Sequence, residues 1–170
     1  MPFNIRIMGL ALALLITAAV FWTSKNQSLQ APDVSFLTIT GQTLQLSSFK
    51  GKPVIVTFWA TDCAVCVKEI PDLIDLYQTY RDKGLEIIAI AMYYDPPNHV
   101  VEMSKAKQIP YHVALDLRAE QARAFGEVRL TPTTFVIDAD GMIVQHITGA
   151  FKPAELSRLI ETLLVTTRPL

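Results

Sequence analysis

Hydrophobic and polar positions divide the chain into an apolar N-terminal segment, a polar connection and a longer region of alternating strands and helices. Residues 7–23 contain no charged side chain, and a run of this length reaches the lower limit of about 17–25 residues for crossing a bilayer. Because Arg6 precedes the run, residues 1–23 are predicted to be an uncleaved anchor in the cytoplasmic membrane with its N-terminus inside. A cleaved signal peptide is the alternative, since Thr17-Ala18-Ala19 offers small residues for cleavage. Both interpretations predict that the remainder is exported to the exterior or periplasmic side.

The exported part is predicted to be a short tether followed by one α/β domain. Residues 24–33 are polar and include a proline, which is typical of a tether. The alternation around Thr40-Gly41-Gln42 predicts a β-hairpin, and the β-branched or aromatic run Val54–Trp59 predicts a strand buried on both faces. The hydrophobic periods then predict a helix over 64–81 that Pro71 kinks or splits, a strand over 85–94, a helix over 98–108, a strand over 111–116, a helix over 119–125, a hairpin turning at Asp140-Gly141 and a helix over 153–165. This order predicts a mixed sheet with helices on both faces, in a domain covering residues 34–170.

Charge and length exclude several kinds of partner and scaffold. The chain has 15 basic and 16 acidic residues and a net charge of -1, which argues against a nucleic acid or an acidic membrane surface as partner. A chain of 170 residues can bury a core without disulfide support. We expect a monomer.

The only two cysteines, Cys63 and Cys66, lie where the predicted strand ending at Trp59 gives way to the predicted helix. The free amides and the positive end of a helix N-terminus favour a thiolate at the first cysteine. Two intervening residues allow a disulfide within one helical turn, and the second cysteine can resolve a mixed disulfide formed by the first. The spacing therefore predicts a redox pair.

Three other uses of the cysteines are less consistent with the sequence. A structural clip around two residues would constrain the unfolded chain little. A zinc site needs four ligands, but the histidines of the chain, His99, His112 and His146, are scattered. Covalent haem attachment needs a histidine where Val67 stands. No metal and no cofactor are therefore expected.

Two stretches, FWATDCAVCVKEIP and RLTPTTFVIDADG, give the chain a family resemblance over residues 31–164. Together they resemble the TlpA/ResA group of membrane-tethered thiol–disulfide oxidoreductases. The resemblance implies a thioredoxin-like fold with an N-terminal β-hairpin, behind a transmembrane helix. It also implies reduction of disulfides in exported proteins, including cytochrome c apoproteins, with Cys63 as nucleophile and Cys66 as resolving thiol. We expect a membrane electron donor.

The same resemblance assigns further residues to the site. It implies a cis peptide bond before Pro132, with the backbone of Thr131 pairing with an extended substrate strand; the alternative is a plain turn before a strand. Trp59 is placed in the substrate site as well. Glu69, one turn after Cys66, matches a family glutamate that tunes a thiol pKa or transfers a proton. The alternative for Glu69 is a solvated acid in the first helical turn.

The sequence departs from the thioredoxin pattern at two positions. Thr57 stands where thioredoxin has a buried aspartate, so that proton acceptor is absent. Asp62 stands just before the nucleophile, where tryptophan is usual. Its charge opposes the thiolate of Cys63, and it is grouped with Glu69 as an auxiliary residue. The alternative is that Asp62 only caps the helix.

Two other function classes remain as alternatives. A peroxiredoxin-like peroxidase would have threonine or serine three residues before the catalytic cysteine, where this chain has Ala60. A non-catalytic binding module with a thioredoxin fold would not need the paired cysteines.

Overall fold

An eight-stranded mixed sheet organises residues 29–166, the part of the chain that this computed structural model describes. The spatial order of the strands is β1-β8-β7-β4-β5-β6-β2-β3. In chain order they are β1 (Leu29–Gln30), β2 (Ser35–Thr38), β3 (Thr43–Gln45), β4 (Val54–Trp59), β5 (Glu86–Ala91), β6 (His112–Leu115), β7 (Thr133–Ile137) and β8 (Met142–Thr148). The helices are α1 (Ala64–Tyr80), α2 (Pro97–Ala106), α3 (Glu120–Ala124) and α4 (Pro153–Thr166), with 3₁₀ turns at Leu46–Phe49 and Arg81–Lys83.

Three parallel strands at the centre of the sheet bring their carboxyl ends to one edge. β4 pairs in parallel with β5, and β5 with β6, so that Trp59 lies beside Ala91 and Ala91 beside Leu115. Every residue of β4 is buried, as its continuous apolar sequence predicts. The loops that follow these strand ends therefore lie side by side, and one of them carries Cys63.

The predicted hairpins are both present and flank this parallel core. β2 and β3 pair antiparallel around the turn at Gly41, which has a φ of 81°. β7 and β8 pair antiparallel around Asp140-Gly141, and β7 also pairs antiparallel with β4. The mixed sheet of the thioredoxin-like class is thus confirmed.

Helices and turns cover both faces of the sheet. On one face, α1, α2 and α4 bury apolar side chains that include Leu73, Val100 and Ile160. On the other face, the 3₁₀ turn after β3 and the short α3 cover a cluster rich in phenylalanine: Phe36, Phe49, Phe58, Phe125 and Phe135. Of the two outcomes predicted for Pro71, a split helix is not found, because α1 runs without a break from Ala64 to Tyr80.

The domain begins earlier than its predicted boundary at residue 34. Leu29 and Gln30 of the predicted tether form a strand on β8, with Leu29 beside Ile143. Ala31 is buried, and the Asp33 carboxylate accepts hydrogen bonds that hold it to the domain. The predicted anchor and the first half of the tether lie outside the described residues. Between residues 29 and 166, no helix has the length and apolar character needed to cross a membrane.

Candidate active site

Cys63 begins helix α1 and uses its own sulfur as the cap. Its backbone N–H donates to the carbonyl of Ala60 at 3.2 Å, which forms the turn after β4. Its Sγ accepts a hydrogen bond from the backbone N–H of Cys66 at 3.2 Å. The sulfur therefore lies against the free amides of the helix N-terminus, as predicted, where negative charge is stabilised. The alternative in which Asp62 caps the helix is wrong, because Cys63 occupies the cap position and Asp62 is exposed.

The two cysteines form a disulfide with unequal access to solvent. Their Cα atoms lie 5.2 Å apart. Cys63 is partly exposed, whereas Cys66 is only 3% exposed and belongs to the core between α1 and the sheet. An incoming sulfur can therefore reach Cys63 but not Cys66, which matches the predicted division into nucleophile and resolving thiol.

A small cavity of about 10 Å³ lies behind Cys66. Four residues placed at the site by the sequence line it together: Trp59, Cys66, Glu69 and Pro132. The rest of the wall comes from apolar side chains of α1 and β5, and from Thr57, Ile109 and Tyr111. Cys63, Asp62 and Thr131 do not line this cavity, so the predicted residues fall into an outer group near solvent and an inner group around the buried thiol.

Glu69 is a buried carboxyl group in the inner group. It is 6% exposed, and its Oε1 accepts a hydrogen bond from the backbone N–H of Phe151 at 2.8 Å. Burial raises the pKa of Glu69, the Phe151 N–H partly opposes that rise, and the charge of Asp72 adds to it. The alternative of a solvated acid is wrong because the helix turns this position towards the core. A carboxyl group with a raised pKa, on a cavity shared with Cys66, has the properties required of a proton carrier.

Trp59 is 4% exposed and lies beneath the surface. Its indole N–H is buried and has no hydrogen-bond partner among residues 29–166. Trp59 can therefore meet a substrate only from the wall of the inner cavity. Its role in substrate binding stays a prediction.

The loop before β7 has the predicted cis bond between Thr131 and Pro132. The carbonyl of Pro132 accepts a hydrogen bond from the backbone N–H of Gly149 at 2.8 Å, and the hydroxyl of Thr133 donates to the carbonyl of Leu130 at 2.8 Å. Within the described part of the chain, the backbone N–H and carbonyl of Thr131 have no backbone partner. They are available to an extended strand from another molecule.

Two contacts that support the site were not predicted from the sequence. The buried Asp95 carboxylate accepts hydrogen bonds from the backbone N–H and the hydroxyl of Thr61, both at 2.6 Å. These two hydrogen bonds fix the loop that leads to Cys63. Thr57, in place of the thioredoxin aspartate, shares a buried hydrogen bond with Thr134 at 2.9 Å. Neither pairing has a sequence signal, because the partners are far apart in the chain and become neighbours only in the folded domain.

Comparison with known proteins agrees with this geometry. A family model described as Redoxin matches residues 26–163. The chain belongs to the redoxin family. Thiol-disulfide oxidoreductase ResA of Bacillus thuringiensis subsp. konkukian (strain 97-27) is 35% identical over 133 residues, which cover 78% of this chain and 75% of that protein. Thiol-disulfide oxidoreductase ResA of Bacillus cereus (strain ATCC 10987 / NRS 248) is 31% identical over 169 residues, covering 93% of this chain and 96% of that protein.

A solved structure of a related protein has the same fold as this redoxin. The crystal structure of a thiol:disulfide interchange protein of the thioredoxin family from Chlorobium tepidum TLS matches with a TM-score of 0.75 and 33% identity. The match covers 81% of this chain and 97% of the other. The predicted family resemblance and thioredoxin-like fold are therefore confirmed.

These relatives, together with the Cys63–Cys66 disulfide, identify the redoxin as a thiol–disulfide oxidoreductase of the ResA type. Both ResA proteins carry that name and not that of a peroxidase or a binding module. At the position where a peroxiredoxin would have a hydroxyl group, Ala60 is fully buried and has none.

Proposed function

We propose that this enzyme reduces disulfide bonds in exported proteins, including cytochrome c apoproteins, while anchored to the cytoplasmic membrane by residues 1–23. The observation that supports it most is the arrangement at the start of α1. Cys63 is partly exposed and its sulfur accepts a hydrogen bond from a helix amide, and the buried Cys66 lines a cavity together with the Glu69 carboxyl group. The apolar run over residues 7–23 and the family resemblance support the anchor and the exported location.

The reaction begins with both cysteines reduced. The Cys63 thiolate attacks one sulfur of the substrate disulfide, the substrate S–S bond breaks, and the leaving substrate thiolate takes up a proton. A mixed disulfide now joins Cys63 to the substrate. The Cys66 thiol gives its proton to the Glu69 carboxylate and attacks the Cys63 sulfur. The second substrate sulfur leaves as a thiolate and takes up a proton from water, and Glu69 returns its proton to water. Two electrons pass to the substrate, and the enzyme is left with the Cys63–Cys66 disulfide.

A second dithiol must then return the enzyme to its reduced form. We assign this step to a membrane protein that donates two electrons by the same exchange, since the anchor confines the enzyme to the membrane. During either exchange, the free backbone groups of Thr131 hold the incoming chain as an added strand, next to Pro132. Asp62 is exposed and directly precedes the nucleophile Cys63 in the chain.

Insulin reduction, measured beside peroxide consumption, tests the reaction class. The full-length enzyme in detergent should reduce insulin in the presence of a dithiol and should not consume peroxide above background. Cys66→Ala should stall the exchange as a mixed disulfide on Cys63, and trapping from cells should capture exported proteins. Peroxide consumption without disulfide reduction would contradict the proposal. Captured partners confined to the cytoplasm would contradict the exported location.

A further inference from the structure

A groove beside the active site is lined by basic and apolar side chains. It has a volume of about 480 Å³, and Tyr93, Leu117, Arg118, Arg123 and Arg129 are among its lining residues. We propose that this groove, here called the arginine groove, binds acidic and apolar side chains next to the disulfide of a polypeptide substrate. The inference rests on the proposed function and adds a preference among substrates.

The arginine groove lies at the same edge of the sheet as Cys63. Tyr93 comes two residues after the end of β5 and Leu117 two residues after the end of β6, at the carboxyl ends of strands parallel to β4. Neighbouring strands are about 4.8 Å apart, so Leu117 lies roughly 10 Å across the sheet from the end of β4. The two hydrogen bonds that Thr61 donates to Asp95 join the loop carrying Tyr93 to the loop before Cys63.

The opposite wall of the groove leads directly into the proposed strand-binding loop. Arg129 is two residues before Thr131, and the exposed Leu130 lies between them. A substrate strand paired with the backbone of Thr131 can therefore continue into the groove. Because an extended strand advances about 3.3 Å per residue, side chains about three residues from the substrate cysteine would reach it.

Exposed apolar side chains are concentrated at this edge. Among residues 29–166, eight large hydrophobic side chains are exposed, and five of them surround the disulfide and the groove: Val65, Tyr93, Tyr94, Leu117 and Leu130. Tyr93 and Tyr94 contact each other edge to face, with ring centroids 5.3 Å apart. Apolar groups gathered beside a reactive centre are typical of an interaction surface.

The charge of the groove selects the kind of partner. Arg118 pairs with Glu120 at 3.0 Å and Arg129 lies 3.9 Å from Glu127, but Arg123 makes no ion pair within residues 29–166. The groove thus has an excess of positive charge in a chain whose net charge is -1. Guanidinium groups bind carboxylates through paired hydrogen bonds, so an acidic segment is the matching occupant.

The acidic residues in and around the groove do not cancel this preference. Glu127 lines the groove near Arg129, but three arginines line it as well. Asp95 and Asp116 are buried, and their carboxylates accept hydrogen bonds from Thr61 and from the backbone of α3, respectively. Asp62 is exposed, but it adjoins Cys63 and not the groove. Its charge would repel an acid placed immediately next to the substrate cysteine, which favours acids a few residues further along.

Peptide reduction by the full-length enzyme in detergent tests the arginine groove. Three peptides share one internal disulfide and differ only in the segments three residues away, which are Glu-Phe-Glu, Gln-Phe-Gln or Lys-Phe-Lys. We expect kcat/KM to fall in that order. The double variant Arg123→Gln/Arg129→Gln should lower kcat/KM for the acidic peptide by about threefold per arginine removed and leave the neutral peptide unchanged. Raising the salt concentration from about 0.05 M to about 0.5 M should reduce the preference of the unmodified enzyme.

Two controls separate the groove from the chemistry. Arg158→Gln removes a positive charge from α4, outside the groove, and should preserve the preference. Hydroxyethyl disulfide, which is small and neutral, should be reduced equally by all variants. Equal rates on the three peptides, with normal reduction of hydroxyethyl disulfide, would overturn the groove and leave the proposed function standing. Failure of the unmodified enzyme on every disulfide would overturn the proposed function itself.

Discussion

Glu69 places an ionisable group where its charged form is poorly solvated. Burial raises its pKa above the ordinary value of 4.5, so the folded protein favours the protonated form more than the unfolded chain does. This contribution to stability is fully present below about pH 4.5 and is lost as the pH rises through the raised pKa of the folded state. Glu69→Gln keeps a carbonyl to accept the Phe151 N–H and cannot ionise. We predict that the stability of Glu69→Gln relative to the unmodified protein increases with pH across this window.

Urea unfolding at a series of pH values checks the Glu69 prediction, because the difference between two variants cancels the titration of other groups. Asp72→Asn is a weaker test of the same effect: Asp72 is exposed and adds repulsion to Glu69. That variant should show the same trend with a smaller change, because burial, the larger cause of the raised pKa of Glu69, remains. A difference for Glu69→Gln that does not change between acid and neutral pH would show that the Glu69 carboxyl group is not destabilised by burial.

Asp62 is an exposed residue next to Cys63, the more accessible cysteine of the disulfide. Because Cys63 caps the helix itself, Asp62→Asn changes the charge beside the sulfur without removing a cap. A lost negative charge favours the thiolate, which stabilises the reduced enzyme relative to the disulfide. We predict that Asp62→Asn raises the reduction potential, by roughly 30 mV for each tenfold gain in thiolate stability. Equilibration with glutathione measures the potential, and an unchanged value would contradict this role of Asp62.

At the scale of elements, the loop between β5 and α2 holds the loop between β4 and α1 in place. Both hydrogen bonds of this contact go from Thr61 to the carboxylate of Asp95, which is 6% exposed. We predict that Asp95→Ala destabilises the protein by about 1–3 kcal/mol, since it leaves the Thr61 donors without their acceptors. The rate of insulin reduction should also fall, because Cys63 follows this loop.

Chemical unfolding and insulin reduction by the same preparations check the Asp95 prediction. Asp95→Asn retains one acceptor oxygen and should lose less stability than Asp95→Ala. Asp138→Ala is a comparison that removes a loop carboxylate accepting hydrogen bonds in the β7–β8 turn, away from Cys63. It should lower stability without slowing reduction at temperatures where the protein is folded. Full activity in Asp95→Ala would mean that the loop needs no such support.

Strong local patterns predicted most of the elements, and contacts between distant residues account for what was missed. The continuous apolar run of β4 and the Asp-Gly turn of β7–β8 each determine their structure locally. Leu29 and Gln30 carry no strand signal, because they become a strand only by pairing with β8. The cysteine spacing predicted the redox pair in the same local way. The arginine groove, by contrast, is formed by the ends of β5 and β6, by α3 and by the loop before β7, which are separate segments of the sequence.

At the scale of the whole molecule, the strand β1 joins the N-terminal segment to the far edge of the sheet. Besides the pairing with Ile143, the backbone N–H of Ala31 donates to the carbonyl of Gly141 at 2.9 Å. Asp33 accepts hydrogen bonds from the Gln45 side chain at 2.9 Å and from the Ser47 backbone at 3.1 Å. Residues 29–33 are therefore part of the domain, and two truncations on either side of them should behave differently.

We predict that the chain starting at residue 24 folds without the apolar segment and stays soluble, because residues 29–166 contain both apolar clusters of the sheet. The chain starting at residue 34 should also fold but lose about 2–4 kcal/mol, since it lacks several hydrogen bonds that each contribute about 0.5–1.5 kcal/mol. Urea unfolding of both chains measures the difference. Equal stabilities would show that β1 adds nothing to the domain. Aggregation of the longer chain, while the full-length protein remains dispersed in detergent, would contradict the separation of anchor and domain, because the folded part would then depend on residues 1–23.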